Sequence, residues 1–114
     1  MEIDNSHFKI TRGDDEVITV RIEDEYGNQI VLTDGEDTIY YTVKETIYSS
    51  EKLIQKVITT FSYGEAIVEI VPDDTKTLKC KKYVYDVQWV DKDGKIKTII
   101  RPSYFEVLGE VTSE

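Results

Sequence analysis

Only one histidine, His7, and one cysteine, Cys80, supply side chains that commonly act as a neutral-pH base or a thiolate nucleophile. Nucleophilic hydrolysis needs such a base held beside the nucleophile by a third, orienting group. His7 sits next to Phe8 where a strand begins, and no Gly-x-Ser-x-Gly elbow occurs anywhere in the chain. A lone thiol can neither close an internal disulfide nor nucleate a cysteine-based zinc site. This inventory predicts no catalytic residue, no cofactor and no metal site.

Acidic clusters are the next group with chemical potential. Asp14-Asp15-Glu16, Asp34-Gly35-Glu36-Asp37, Asp73-Asp74 and Asp91-Lys92-Asp93-Gly94 all fall in turn-like stretches. Calcium takes six to eight oxygen ligands, and Asp91-x-Asp93-Gly94 resembles a fragment of a calcium loop. The bidentate acid that an EF-hand needs further on is missing, because residues 96–102 contain no acid. Solvated turns are the expected reading, with calcium binding as the alternative. The same acids could pair as glycosidase carboxylates, but nothing in the sequence fixes two of them at the required separation. Arg12-Gly13-Asp14 spells an integrin-type tripeptide, and a β-turn explains its glycine and aspartate better. Tyr83, Tyr85 and Trp89 share one face of a segment, as a sugar platform would. The opposite face carries Asp86 and Gln88, so the rings are expected in the core.

The elements that must carry these residues read as strands. Ile18, Val20 and Ile22 alternate with polar neighbours. So do Ile39, Tyr41 and Val43, and again Ala66, Val68 and Ile70. Eight tyrosines and many Val, Ile and Thr agree with strand preference. Glycines follow in the turns at Gly27, Gly35, Gly64 and Gly94, the last within a clear hairpin. The reading is an all-β, single-domain antiparallel β-sandwich over residues 1–114, immunoglobulin-like, with about eight strands. They are placed at 7–12, 16–23, 37–45, 53–60, 65–71, 82–90, 95–101 and 103–108. Pro102 is expected to break or bulge the last run. One helical turn is expected from Pro72 to Lys79, capped by Asp73 or Asp74. Ile18, Val20, Ile22, Ile39, Tyr41, Val43, Val68, Ile70, Tyr85, Val87 and Trp89 are expected to form one core. Leu78 followed by Tyr83 suggests a tyrosine corner, in which a phenol bonds back to the preceding loop.

Composition narrows the partners. The chain has 114 residues, enough for one core, with 23 Asp plus Glu against 14 Lys plus Arg and a net charge of −9. That charge repels phosphate backbones and anionic lipid, so neither nucleic acid nor membrane is an expected partner. The first five residues lack the apolar stretch of a signal peptide.

Several segments together resemble a known family. Phe8-Lys9-Ile10-Thr11-Arg12-Gly13-Asp14-Asp15 opens the series, followed by Asp37-Thr38-Ile39 with Thr42-Val43-Lys44, and then Leu53-Ile54-Gln55-Lys56. Ile70-Val71-Pro72 with Asp74-Thr75 and Leu78 comes next, then Tyr83-x-Tyr85-Asp86-Val87. Gly94 through Thr98-Ile99-Ile100-x-Pro102, and Phe105 through Glu110-Val111-Thr112, complete it. In order and spacing they resemble the N-terminal domain of phage upper baseplate proteins, over residues 7–112. The chain departs from the family at Cys80-Lys81-Lys82, where members often carry a glycine. The resemblance implies an immunoglobulin-like sandwich that anchors peripheral baseplate parts to the tail core without catalysis. It implies other phage tail proteins as partners, a possible homo-oligomer, and a place in the virion after synthesis in the bacterial cytoplasm. The expected docking element is the turn Arg12, Gly13, Asp14, Asp15 and Glu16, close to the free N-terminus. The competing function is a carbohydrate- or calcium-binding β-sandwich module.

Overall fold

Alternating side chains become alternating burial. In the computed structural model, which describes residues 7–111, Ile39, Tyr41 and Val43 are buried between half-buried Tyr40, Thr42 and Lys44. The same pattern buries Tyr83, Tyr85, Val87 and Trp89, and also Ala66, Val68 and Ile70. The N-terminal segment that shows no signal-peptide pattern lies outside the described residues.

The chain order is β1 (Phe8–Thr11), β2 (Glu16–Val20), β3 (Ile22–Glu23), β4 (Gln29–Ile30), β5 (Thr38–Lys44), β6 (Ile54–Ile58) and β7 (Ala66–Ile70). A short helix α1 (Pro72–Thr75), β8 (Lys82–Val90) and β9 (Ile96–Leu108) follow. A five-stranded sheet has the order β1-β9-β8-β5-β6; β2 pairs with β7, and β3 with β4. The protein is all-β, and one cluster of buried side chains draws on all three sheets.

Several expectations are corrected. The sheet is mixed, because β1 runs parallel to β9 while the other pairs are antiparallel. Periodicity reports which face a residue takes, not the direction of its partner. The expected strand over 16–23 divides at Arg21, where the chain leaves its β7 partner and takes β4. β4 itself was not anticipated, since its two residues are too short to show a period. The runs placed at 95–101 and 103–108 form one strand with two irregularities. Tyr85 pairs with Ser103, Val87 with Ile100 and Gln88 with Thr98, so β9 inserts an extra residue in each interval. The second insertion lets adjacent Ile99 and Ile100 both be buried, which strict alternation forbids. Pro102 lies in the first insertion, on a stretch that β1 does not cover. Only residues 72–75 of the expected longer helical turn are helical. The Asp74 carboxylate accepts the Val71 N–H at 2.8 Å there. Ile18 is half-buried at the core margin, while the other ten expected core residues are buried.

Tyr41, Tyr85 and Phe105 meet at the centre of the core. Their ring centroids lie 5.0, 6.5 and 6.4 Å apart for the Tyr41–Tyr85, Tyr41–Phe105 and Tyr85–Phe105 pairs. Burial pushes the Tyr41 phenol far above its ordinary range, with Tyr85 adding to the effect. Its hydroxyl has no hydrogen-bonding protein group within reach. Tyr83 donates its hydroxyl to the Lys79 carbonyl at 2.8 Å, tying β8 to the loop before it as the sequence suggested. Trp89 Nε1 donates to Asp37 Oδ1 at 2.9 Å, and Lys97 Nζ lies 4.6 Å over its ring.

Replacing Trp89 by alanine is therefore expected to cost about 3–5 kcal/mol, measured by urea unfolding; a near-neutral effect would contradict its burial. Tyr41→Phe should instead raise stability by about 1 kcal/mol, because it removes a buried polar atom that has no partner. A loss of stability would mean that the hydroxyl is satisfied in solution.

Candidate interaction surface

The expected docking turn divides into two parts. Gly13 has φ +87°, a conformation that favours glycine, and its N–H donates to Thr75 Oγ1 at 2.9 Å. Thr75 is fully buried, so this bond fixes the turn onto α1. Arg12 grips Glu110 with Nη2–Oε1 at 3.0 Å and Nε–Oε2 at 3.4 Å, and its backbone N–H reaches the Leu108 carbonyl. The Glu110 carboxylate raises the guanidinium pKa. Arg12 and Gly13 thus clasp the ends of β1, β9 and α1, whereas Asp14, Asp15 and Glu16 are exposed.

Five of the other loop acids are engaged in turn chemistry. Asp24 Oδ1 accepts the N–H groups of Tyr26 and Asn28, and Asp91 Oδ1 accepts those of Asp93 and Lys95. The two turns share the sequence pattern Asp-x-x-Gly-x and the same backbone bonds, Gly27 to Asp24 and Gly94 to Asp91. The Lys95 and Asp93 N–H groups hold the Asp91 carboxyl below its ordinary range. Asp34 accepts the Phe61 N–H, and Asp37 accepts the Thr33 N–H as well as the Trp89 indole. Asp74 pairs with Lys56 at 2.8 Å. Among the described residues, no group of three His, Cys, Asp or Glu side chains is placed to hold a metal ion. His7 Nδ1 accepts the Tyr104 N–H at 3.0 Å and its ring stacks on Tyr104. Cys80 is exposed and free. The rings of Tyr83, Tyr85 and Trp89 are buried, which removes them as a sugar platform.

The surface that remains is the outer face of the five-stranded sheet. The pairing register places Tyr40 and Thr42 of β5, Val84, Asp86, Gln88 and Val90 of β8, and Ile96 and Tyr104 of β9 on this face. Val57 of β6 joins them opposite Tyr40. Tyr40, Val84 and Val90 are half-buried, while Val57, Ile96 and Tyr104 are 49%, 66% and 47% exposed. An ordinary solvent face alternates to polar residues, and this one keeps apolar side chains on every strand named. The signal was present in Tyr83–Val90, where apolar residues occupy both faces, but the alternation of the inner set masked it.

Asp86 lies at the centre of this face, directly opposite Thr42. Thr42 already accepts a hydrogen bond from Gln55 Nε2 at 3.1 Å. The Asp86 carboxylate makes no hydrogen bond or direct ion pair among the described residues. Burial pushes its carboxyl above the ordinary range, and Lys44 opposes that shift from a distance. A shallow depression of about 380 Å³ adjoins it, lined by Tyr40, Thr42, Lys44, Gln88 and Val90. The arrangement suits contact with another surface: apolar area at the periphery and an acceptor at the centre whose hydrogen-bonding capacity is unused.

A scan of the chain against protein-family models finds no match, and a search of curated proteins finds none either.

The raised Asp86 pKa has a defined pH signature. The folded state binds this proton more tightly than the unfolded chain does. The resulting stabilisation is complete below the ordinary carboxyl value, about 3.9, and disappears as pH rises through the raised folded value. Asp86→Asn is expected to raise stability at neutral pH by less than about 1 kcal/mol, the side chain being only half-buried. In dilute solution this advantage should shrink as pH falls toward about 4; an advantage independent of pH would contradict the assignment.

Proposed function

We propose that this chain is a non-enzymatic structural module of a phage or prophage tail baseplate, which joins peripheral baseplate parts to the tail core by protein–protein contacts. The sequence resemblance over residues 7–112 motivates the tail assignment. The observation that carries the docking role is the uncovered outer sheet face, with its apolar side chains around Asp86. Protein contact surfaces draw more than half of their area from apolar atoms and carry hydrogen-bonding groups among them. In this reading the fold is an immunoglobulin-like sandwich, a description that the Tyr83–Lys79 hydrogen bond supports because it forms a tyrosine corner. The protein acts in the virion, after synthesis in the host cytoplasm, and its partners are other tail proteins. Asp14, Asp15 and Glu16 provide a second, polar contact element, while Arg12 and Gly13 hold that turn in place.

Mixing the chain with purified tail proteins of its source phage or prophage should give a stable complex by light-scattering mass. Changing Val57 and Ile96 to aspartate should weaken that complex at least about tenfold and leave the melting temperature nearly unchanged, since both side chains are exposed. A full-strength complex from the double variant would move the interface away from this face. No complex with any tail protein would defeat the tail assignment.

A further inference from the structure

Four residues at the centre of the outer face form a rectangle. Thr42 pairs with Asp86 and Lys44 pairs with Val84, so Lys44 and Asp86 end one diagonal while Thr42 and Val84 end the other. We propose that this face is the contact between two copies of the chain, related by a twofold axis along the Thr42–Val84 diagonal. The proposal rests on the reading of this face as a docking surface, but not on the tail assignment.

The axis lies in the plane of contact and brings Lys44 of each copy to about 3 Å sideways of Asp86 of the other, an offset the long lysine side chain spans. Thr42 then meets Thr42, and Val84 meets Val84. Every contact forms twice, as a twofold interface requires. Asp86 gains the cationic donor it lacks within its own chain, where Lys44 acts on it only from a distance. Tyr40, Val57, Val90 and Ile96 supply apolar area around the two charge pairs.

Charge also selects this face over the others. A chain of net charge −9 repels its copies across most of its surface. Here Lys9, Lys44, Lys52 and Lys82 stand against Asp86 and Glu106. The acidic repulsion is thus absent here; the two-lysine excess of each copy opposes pairing, and the two Lys44–Asp86 crossings offset it. Face-to-face packing of two sheets also leaves every backbone ladder undisturbed.

The test is the mass of the purified chain alone, by light scattering from micromolar to sub-millimolar concentration. The wild type should form dimers in that range. Asp86→Lys and Lys44→Asp should each weaken dimerisation at least about tenfold, because each places like charges opposite one another twice. Circular dichroism and melting temperature should report both variants as folded. Mixed in equal amounts, the two variants should form a heterodimer, since each lysine then faces an aspartate. If one variant fails to fold, the concentration dependence of the other still decides. A wild-type chain that stays monomeric throughout overturns the proposal, and so does a dimer that ignores both substitutions. A tail protein that docks through Val57 and Ile96 competes with the second copy for this face, so it should dissociate the dimer, and the mass measured with and without tail proteins separates the two readings.

Discussion

Three aromatic rings on adjacent strands hold this fold together. Tyr41, Tyr85 and Phe105 come from β5, β8 and β9, and they meet in one cluster with Phe8 tilted against Phe105 at 5.2 Å. Burying one such ring removes roughly 150–250 Å² from water, a gross gain of roughly 4–6 kcal/mol at about 25 cal/mol per Å². A single turn hydrogen bond contributes about 1 kcal/mol. The rings therefore decide which face of the sheet turns inward, and the turns decide where each strand stops. Once β5, β8 and β9 commit one face to the core, their other face is left without a layer. The uncovered outer face is a consequence of that commitment.

The acidic composition has a structural origin of the same kind. Asp24, Asp34, Asp37, Asp74 and Asp91 each accept at least one backbone N–H in or next to a turn. Short strands need many turns; Asp24 and Asp91 hold theirs by bonding the chain just ahead, Asp37 and Asp74 by bonding an N–H just behind, and Asp34 by reaching across to Phe61. Much of what looks like a cation-binding surface is thus the fold's own punctuation. Asp86 differs from these acids in standing mid-strand, away from any turn, with its carboxylate unengaged.

The all-β class and little more than half of the core were legible in the sequence, because period-two alternation survives wherever one face is buried. Ten of the eleven expected core residues are buried, with only Ile18 at the margin. The reading stopped where tertiary context overrides a local pattern. Ile99 and Ile100 share the core through a bulge, which no alternation template contains. Arg12 looked like an exposed charge in a polar turn, but its partner Glu110 lies almost a full chain length away. The parallel direction of β1 was equally hidden, because it depends on a strand far along the sequence. The outer face went unnoticed for a related reason. Val84 and Val90 are ordinary strand residues one at a time, and they become a surface only when β5, β6 and β9 line up beside them.

The parallel pairing of β1 with β9 has a mechanical meaning. Phe8 aligns with Phe105 and Thr11 with Leu108, so the first described strand and the last point the same way. Tension that pulls β1 back from its start and β9 forward from its end slides the two strands along each other. The ladder bonds between them, evenly spaced as in any parallel pair, then share the load and fail together. An antiparallel pair pulled apart from one end would open bond by bond. The Arg12–Glu110 clasp sits at the exit of this pair and adds a charged catch against the same sliding. A module strung between two larger bodies would in this way be strongest along the line on which they pull.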